Sequence, residues 1–349
     1  DWYNKKSTDL LYSVNLPLEA GGASVTTNIG SVRNRGVEVS LTTENIVTKD
    51  WHWTTSFTFA HNKNEILEVN GTGDYLTGNH SGNLIIGQPY NNVYSYEWNG
   101  IVTDRDMIVP DTEIARLKGF TPGETVKEAN YYYACYGLYE GNPIITDFNG
   151  DGQINTEDKR IYKSDPAWTG SFTSNLQWKN WDFSFSVYTK QDYTVFSSFY
   201  GEYLNLSDRG RSKLNMDWYI PAGTLIDCDG INPDGVLINP KYQTTTHYGS
   251  YPFPNDGNYN GLGSDYWLGS TNAITDASFV KVKHITLGYT MPKTWTSKFG
   301  CSHLRLYCTV TNPFVFTDYK GYDPEWASAS NANDGPSTVT WQFGASIRF

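Results

Sequence analysis

The sequence predicts an all-β protein, an antiparallel transmembrane β-barrel, and three observations carry that reading. Segments of alternating apolar and polar residues recur along the 349 residues, the connections between them are short and long in turn, and aromatic residues make up 15% of the chain. In a barrel strand every second side chain meets lipid and the others face a wet lumen, with aromatic residues at the two interfaces. Strands of a β-sandwich also alternate. The loop layout separates the two folds, because long structureless loops are rare in compact soluble domains.

The elements follow in chain order. Over 35–45, Val37, Val39, Leu41 and Thr43 alternate with Glu38, Ser40, Thr42 and Glu44. A short Ile46–Asp50 turn leads to 51–60, where Trp51, Trp53, Thr55, Phe57 and Phe59 share a face. Strand 171–178 turns at Lys179 and Asn180 into 181–188, with Trp181, Phe183, Phe185 and Val187 on one side. In 278–290, Val280 and Val282 have one parity and Ile285, Leu287 and Tyr289 the other. A β-bulge restores a single face there; burial of both faces is the alternative. A segment with Pro292 and Gly300 joins this strand to 304–312, where Leu304, Leu306, Cys308 and Val310 alternate with polar residues. The last nine residues put Trp341, Phe343, Ala345, Ile347 and Phe349 on one face. Weaker strand patterns near 10–14, 84–101 and 131–139 bring the total to eight to ten, a number that closes a small barrel. Asp208–Trp218 reads as a short loop helix with a solvated face. Long loops rich in Gly, Asn, Asp, Tyr and Pro cover roughly 61–90, 98–170, 190–277 and 313–337.

Composition bounds the function. Hydrophobic residues are 38% of the chain and the mean hydropathy is -0.51, with no apolar run near the ~20 residues of a membrane helix. Barrel strands need no such run. The net charge is -11 and Lys and Arg form no block, which argues against nucleic-acid binding. None of the four cysteines lies in a CxxC pair, so a zinc site is not expected. Cys135 and Cys228 lie in loop-like sequence, and their pairing is left open; Cys308 lies on an apolar strand face. The chain starts at Asp1 with no start Met or signal pattern, which leads to the expectation of a piece of a larger protein.

One segment has the spacing of a metal loop. Residues Asp147 to Asp158 fit twelve positions of a calcium loop: Asp147, Asn149 and Asp151 at one, three and five, Gly152 at the sharp turn and the Gln153 carbonyl at seven. Asn155 falls at nine and Asp158 at twelve, where a longer Glu is usual. A loop of Asx turns without metal has the same residues. If Ca²⁺ binds, its role is structural. No catalytic motif occurs, and Asp104 and Asp106 read as polar loop residues, so no enzyme is expected.

The C-terminal third then carries a resemblance. Asp276-Ala277-Ser278-Phe279-Val280-Lys281-Val282-Lys283, followed by Ile285 to Pro292, Leu304-Arg305-Leu306-Tyr307, Asn312-Pro313-Phe314 and Thr317 to Glu325, resembles the late-barrel signature of SusC/RagA-like TonB-dependent transporters. Asn28-Ile29-Gly30, Asn34 to Glu38, Gly87-Gln88-Pro89 and the Asp147–Asp158 loop with Arg160 match in the same order. Pro313 stands where the family has Leu; lacking an N–H, it should end the strand or mark an edge.

The resemblance implies the C-terminal part of a plugged barrel of about 22 strands, with residues 1–349 all barrel and the plug supplied elsewhere. It implies an outer-membrane site in a Gram-negative bacterium and extracellular long loops. It also implies import of oligosaccharides or peptides beneath a SusD-like surface lipoprotein, energised by TonB–ExbB–ExbD. Aromatic loop residues suited to stacking are Tyr94, Tyr96, Trp98, Tyr266 and Trp267, although girdle or packing roles suit the same rings. The alternative to all of this is a secreted, calcium-stabilised β-sandwich that binds carbohydrate.

Overall fold

The computed structural model describes residues 1–15, 24–28, 30–69, 73, 74, 76, 82–196, 217–253, 274–319, 321, 323–326 and 337–349. The chain forms two compact units, one of Asp1–Val93, Tyr162–Val195 and Thr275–Phe349, the other of Tyr94–Ile161 and Phe196–Ile274.

The first unit is an eight-stranded antiparallel sheet. Its strands are β1 (Trp2–Ser7), β2 (Gly30–Val47), β3 (Trp51–Val69), β4 (Trp168–Trp178), β5 (Trp181–Gln191), β6 (Phe279–Thr290), β7 (His303–Thr317) and β8 (Thr340–Arg348). Each pairs with its neighbour in chain order. The sheet is open, since β1 pairs only with β2 and β8 only with β7 among the described residues. The eight strands therefore do not close a small barrel by themselves. Three residues join β2 to β3, two join β4 to β5, and a short helical segment, Lys293–Phe299, lies between β6 and β7. The long connections leave from the other strand ends.

Register makes the two faces explicit. Leu41, Phe57, Phe172, Val187, Val282 and Phe314 lie side by side in one row across six strands. Trp53, Leu176, Phe183, Leu287, Cys308 and Phe343 form a parallel row. These side chains are not covered: Leu41 is 55% exposed, Leu287 47% and Phe343 77%. A sandwich would bury this face under a second sheet. The opposite face carries Thr42, Ser56, Thr173, Ser186, His284 and Thr311 in one row.

Aromatic rings close both ends of the apolar band. At the short-turn end Trp51 stacks on Trp178 with centroids 5.4 Å apart, and Trp181 meets Tyr289 at 4.6 Å. At the other end Phe59 meets Trp168 at 5.9 Å. Trp168 and Trp178 lie ten residues apart on β4, or about 33 Å at ~3.3 Å per residue. Tilted by about 40–45°, that length projects to about 25 Å, the height of a barrel's apolar band.

Three sequence expectations change. First, β3 continues nine residues into the predicted 61–90 loop. His61 to Glu65 are polar on both faces, yet they pair with β2, and Arg33 holds Glu65 at 2.8 Å. Second, Pro313 does not end its strand: β7 runs through it to Thr317. The β6–β7 register jumps between Val282 and His284, and Asn312 takes a positive φ of 54°. This bulge needs no ladder N–H from Pro313. The same irregularity puts Val280 and Val282 on the face of Ile285 and Leu287, as the bulge reading expected. Third, 131–139 is not a strand.

In the second unit, α1 spans Glu113–Leu117 and α2 spans Glu128–Tyr136. α2 ends at Gly137, whose φ of 70° allows the left-handed cap. Val109, Ile114, Ala115, Tyr131 and Cys135 form a core there, and Tyr96, Val102, Leu138, Ile144 and Ile145 form another. Of the expected 208–218 helix, 208–216 lie outside the described residues.

Candidate functional site

The inner face of the sheet is a hydroxyl surface stitched across strands. Thr42 meets Ser56 at 2.7 Å, Thr58 meets Ser171 at 2.6 Å and Thr286 meets Thr309 at 2.9 Å. Near the short turns Asp182 on β5 reaches over β6 to Arg305 on β7, with Nε–Oδ1 at 2.9 Å. Gly288 makes that reach possible, since a Cβ there would come within 2.5 Å of the Asp182 carboxylate. On the outer face the polar Ser174 hydroxyl accepts the Trp53 indole N–H at 3.0 Å. Polar groups facing hydrocarbon must be satisfied internally in this way.

At the long-loop end of β6 sits a buried charge cluster. The Lys281 side chain is 1% exposed and donates to Asp323 at 2.6 Å and to Glu325 at 2.8 Å. Lys283 also holds Glu325, at 2.7 Å. Burial alone would push the Asp323 carboxyl up, but hydrogen bonds from Lys281, Ser337 and the Glu325 N–H outweigh it and hold the group below its usual range. Glu325 is likewise held down, by Lys281 and Lys283 against burial. The cluster pins the connection after β7 to the sheet. The pairing spans 42 residues, so spacing within either segment gives no sign of it.

The Asp147–Asp158 loop has the backbone of its motif. Asp147 accepts the N–H of Gly150 at 2.6 Å and of Gly152 at 2.8 Å. Asn149 accepts from Asp151, and Asp151 from Gln153. Gly152 has φ 78°, and a Cβ there would clash with the Ile114 side chain. The buried Asp158 ties the loop's ends, accepting from Phe148 and Asn155, both at 2.9 Å. Tyr136 donates to Asp147 at 3.3 Å, and burial, with the neighbouring Tyr131 and Asp147, keeps its hydroxyl protonated by pushing the pKa up. Among the described residues, however, no three His, Cys, Asp or Glu side chains converge as a metal-holding group. The two end carboxylates are engaged by backbone N–H groups, and the remaining oxygens would come from Asn149, Asp151 and the Gln153 carbonyl.

The stacking candidates divide. Tyr96 is 8% exposed and packs in a core with Lys159 over its ring at 5.1 Å, so it offers no free face. Tyr94 and Trp98 are half-buried; the Tyr94 hydroxyl donates to the Thr156 carbonyl, and the Trp98 indole donates to that of Gly100. Tyr266 and Trp267 lie outside the described residues. Cys135 and Cys228 are both free thiols. Asp104 accepts from Tyr248 and Thr246, and Asp106 pairs with Lys127 at 2.8 Å. No helix among the described residues is long and apolar enough to cross a membrane.

One open sheet with an uncovered apolar face, two aromatic belts and a hydroxylated inner face is a stretch of transmembrane β-barrel wall. No family model matches the chain. The TonB-dependent receptor SusC of Bacteroides thetaiotaomicron is 31% identical over 359 residues, covering all of this chain and 30% of the relative. TonB-dependent receptor P39 of Formosa agariphila is 29% identical over 351 residues, covering 95% of this chain and 31% of the relative. The solved RagAB peptide transporter shares the fold, with a TM-score of 0.65 at 21% identity, over 99% of this chain and 32% of that one. This chain is thus a C-terminal barrel portion belonging to the SusC/RagA-like TonB-dependent receptors, and it spans about 30% of the length of these relatives.

Proposed function

We propose that the chain is wall and loops of an outer-membrane nutrient importer, not an enzyme. The observation that carries this is the two-faced sheet: apolar rows outside, hydroxyl rows inside. An open sheet edge is untenable in hydrocarbon, so both edges pair with the rest of a larger barrel, which also supplies the plug. The long connections face the cell exterior, where they meet a SusD-like lipoprotein and line the chamber for an oligosaccharide or peptide. Tyr94, Trp98, Tyr266 and Trp267 are the ring candidates for cargo contact. TonB–ExbB–ExbD supplies the energy. A Ca²⁺ ion in the Asp147–Asp158 loop fixes that loop; it takes no part in chemistry.

Uptake of labelled oligosaccharide and peptide pools by cells, with and without the receptor gene, tests this reading. Uptake that is lost on gene deletion and on collapse of the proton gradient is expected. Uptake unchanged by deletion refutes it.

A further inference from the structure

The loop end of β2 and β3 borders a half-open cavity of about 300 Å³ that none of the roles above uses. Val32 and Asn34 on β2 stand opposite Ile66 and Asn64 on β3, all four on the hydroxylated inner face. The bulge between Ser31 and Val32 turns the strand ends, and Gly30 at φ 134° passes where a Cβ would lie 1.8 Å from the Glu68 carbonyl oxygen. The Gly87-Gln88-Pro89 segment is laid along β3 by reciprocal bonds, Ile66 N–H to the Gln88 carbonyl at 2.9 Å and Gly87 N–H to the Ile66 carbonyl at 2.8 Å. Its flanks supply the remaining wall, Leu84 on one side and Tyr90 and Asn91 on the other.

Two properties of the lining decide its ligand. Its apolar part is aliphatic: Leu10, Val32, Ile66, Val69 and Leu84. Among the described lining residues Tyr90 is the sole aromatic ring, and these residues offer no paired platform for a sugar face. Its charged part is Glu68 and Asp165, with no Lys, Arg or His among the described lining residues. Asn91 donates to Asp165 Oδ1 at 2.8 Å, which holds that carboxylate in place. The volume sits at the small end of the ~300–1,000 Å³ range of ligand pockets, room for one or two side chains and not for an extended glycan.

We propose that this cavity is a cargo subsite for a peptide, taking an aliphatic side chain against Val32, Ile66 and Leu84 and the adjoining ammonium group at Glu68 and Asp165. The proposal rests on the import reading and chooses peptide over oligosaccharide for this part of the wall. Removing a charge-assisted hydrogen bond from such a site weakens binding by about tenfold or more.

The test uses the complete receptor in detergent, titrated calorimetrically with leucyl-leucyl-alanine, its N-acetylated form and maltoheptaose. The free tripeptide binds and the acetylated form is weaker by about tenfold or more. Ser7 is exposed, lines the cavity and stands opposite Val32, so Ser7→Trp fills the cavity from the surface side and abolishes tripeptide binding. The near-isosteric pair Glu68→Gln and Asp165→Asn removes the preference for the free ammonium. Tripeptide binding that is absent, indifferent to acetylation, unmoved by Ser7→Trp or matched by maltoheptaose overturns the subsite. The same receptor still driving solute uptake in cells would then leave the import reading standing; failure of uptake overturns that reading instead.

Discussion

Phe172→Arg separates a lipid-facing sheet from a solvated one. Phe172 lies at the middle of β4, 37% exposed, flanked in its row by Phe57 and Val187. On a soluble sheet, a partly exposed Phe replaced by Arg loses some packing and keeps its charge in water, a cost within about 1 kcal/mol. Facing hydrocarbon near the midplane, the guanidinium costs about 2–4 kcal/mol. Removing the ring that packs against Phe185, at 5.8 Å, adds about 0.5–1.5 kcal/mol. The sum, about 2.5–5.5 kcal/mol, is a factor of about sixty to about eight thousand in the folding equilibrium at 1.4 kcal/mol per tenfold. Asn175→Arg, three positions along and on the inner face, is the control, with a change within about 0.5 kcal/mol. The assay is urea unfolding of the complete receptor from lipid vesicles, followed by tryptophan fluorescence. Equal midpoints for the two variants refute the assignment of faces.

Other consequences follow from the same geometry. Asp323→Asn leaves the buried Lys281 ammonium, among the described residues, with one carboxylate, Glu325, beside the Ser337 hydroxyl, at a cost of about 3 kcal/mol, read as a lower urea midpoint and faster proteolysis between residues 318 and 339. The pH dependence has a definite sign: Asp323 and Glu325 are held below their ordinary values of 3.8 and 4.5, so their contribution is complete above pH 4.5 and fades as the pH falls through the depressed values. Acid therefore frees the connection after β7, and limited proteolysis across a pH series detects it; a cleavage pattern constant down to pH 3 contradicts the cluster's role. Chelation of Ca²⁺ is expected to loosen the Asp147–Asp158 loop, seen as faster amide exchange at Gly150 to Gln153, and Asp151→Ala should make that exchange insensitive to chelator. Gly288→Val should drive Arg305 away from Asp182, with crystallographic separation of the pair as the readout.

The wall was legible in the sequence because its period of two is enforced residue by residue by two different solvents. The 181–188 and 341–349 patterns map onto β5 and β8 almost unchanged. What escaped is what depends on distant partners. The polar stretch His61 to Glu65 looks like loop until β2 supplies its ladder. Lys281 looks like an ordinary charged position until Asp323 arrives. Tyr131 to Tyr136 is apolar at every spacing, so periodicity could not choose helix, although Gly137 was a stop signal in plain view. Likewise the cavity walled by Leu84 and Tyr90 exists only because the Gly87 turn docks on β3.

The most direct test of the central claim is native purification in mild detergent with mass spectrometry of everything that co-migrates. A transporter wall predicts a plug-bearing barrel assembly accompanied by a surface lipoprotein. A single species of 39.4 kDa, soluble with no detergent, would contradict it.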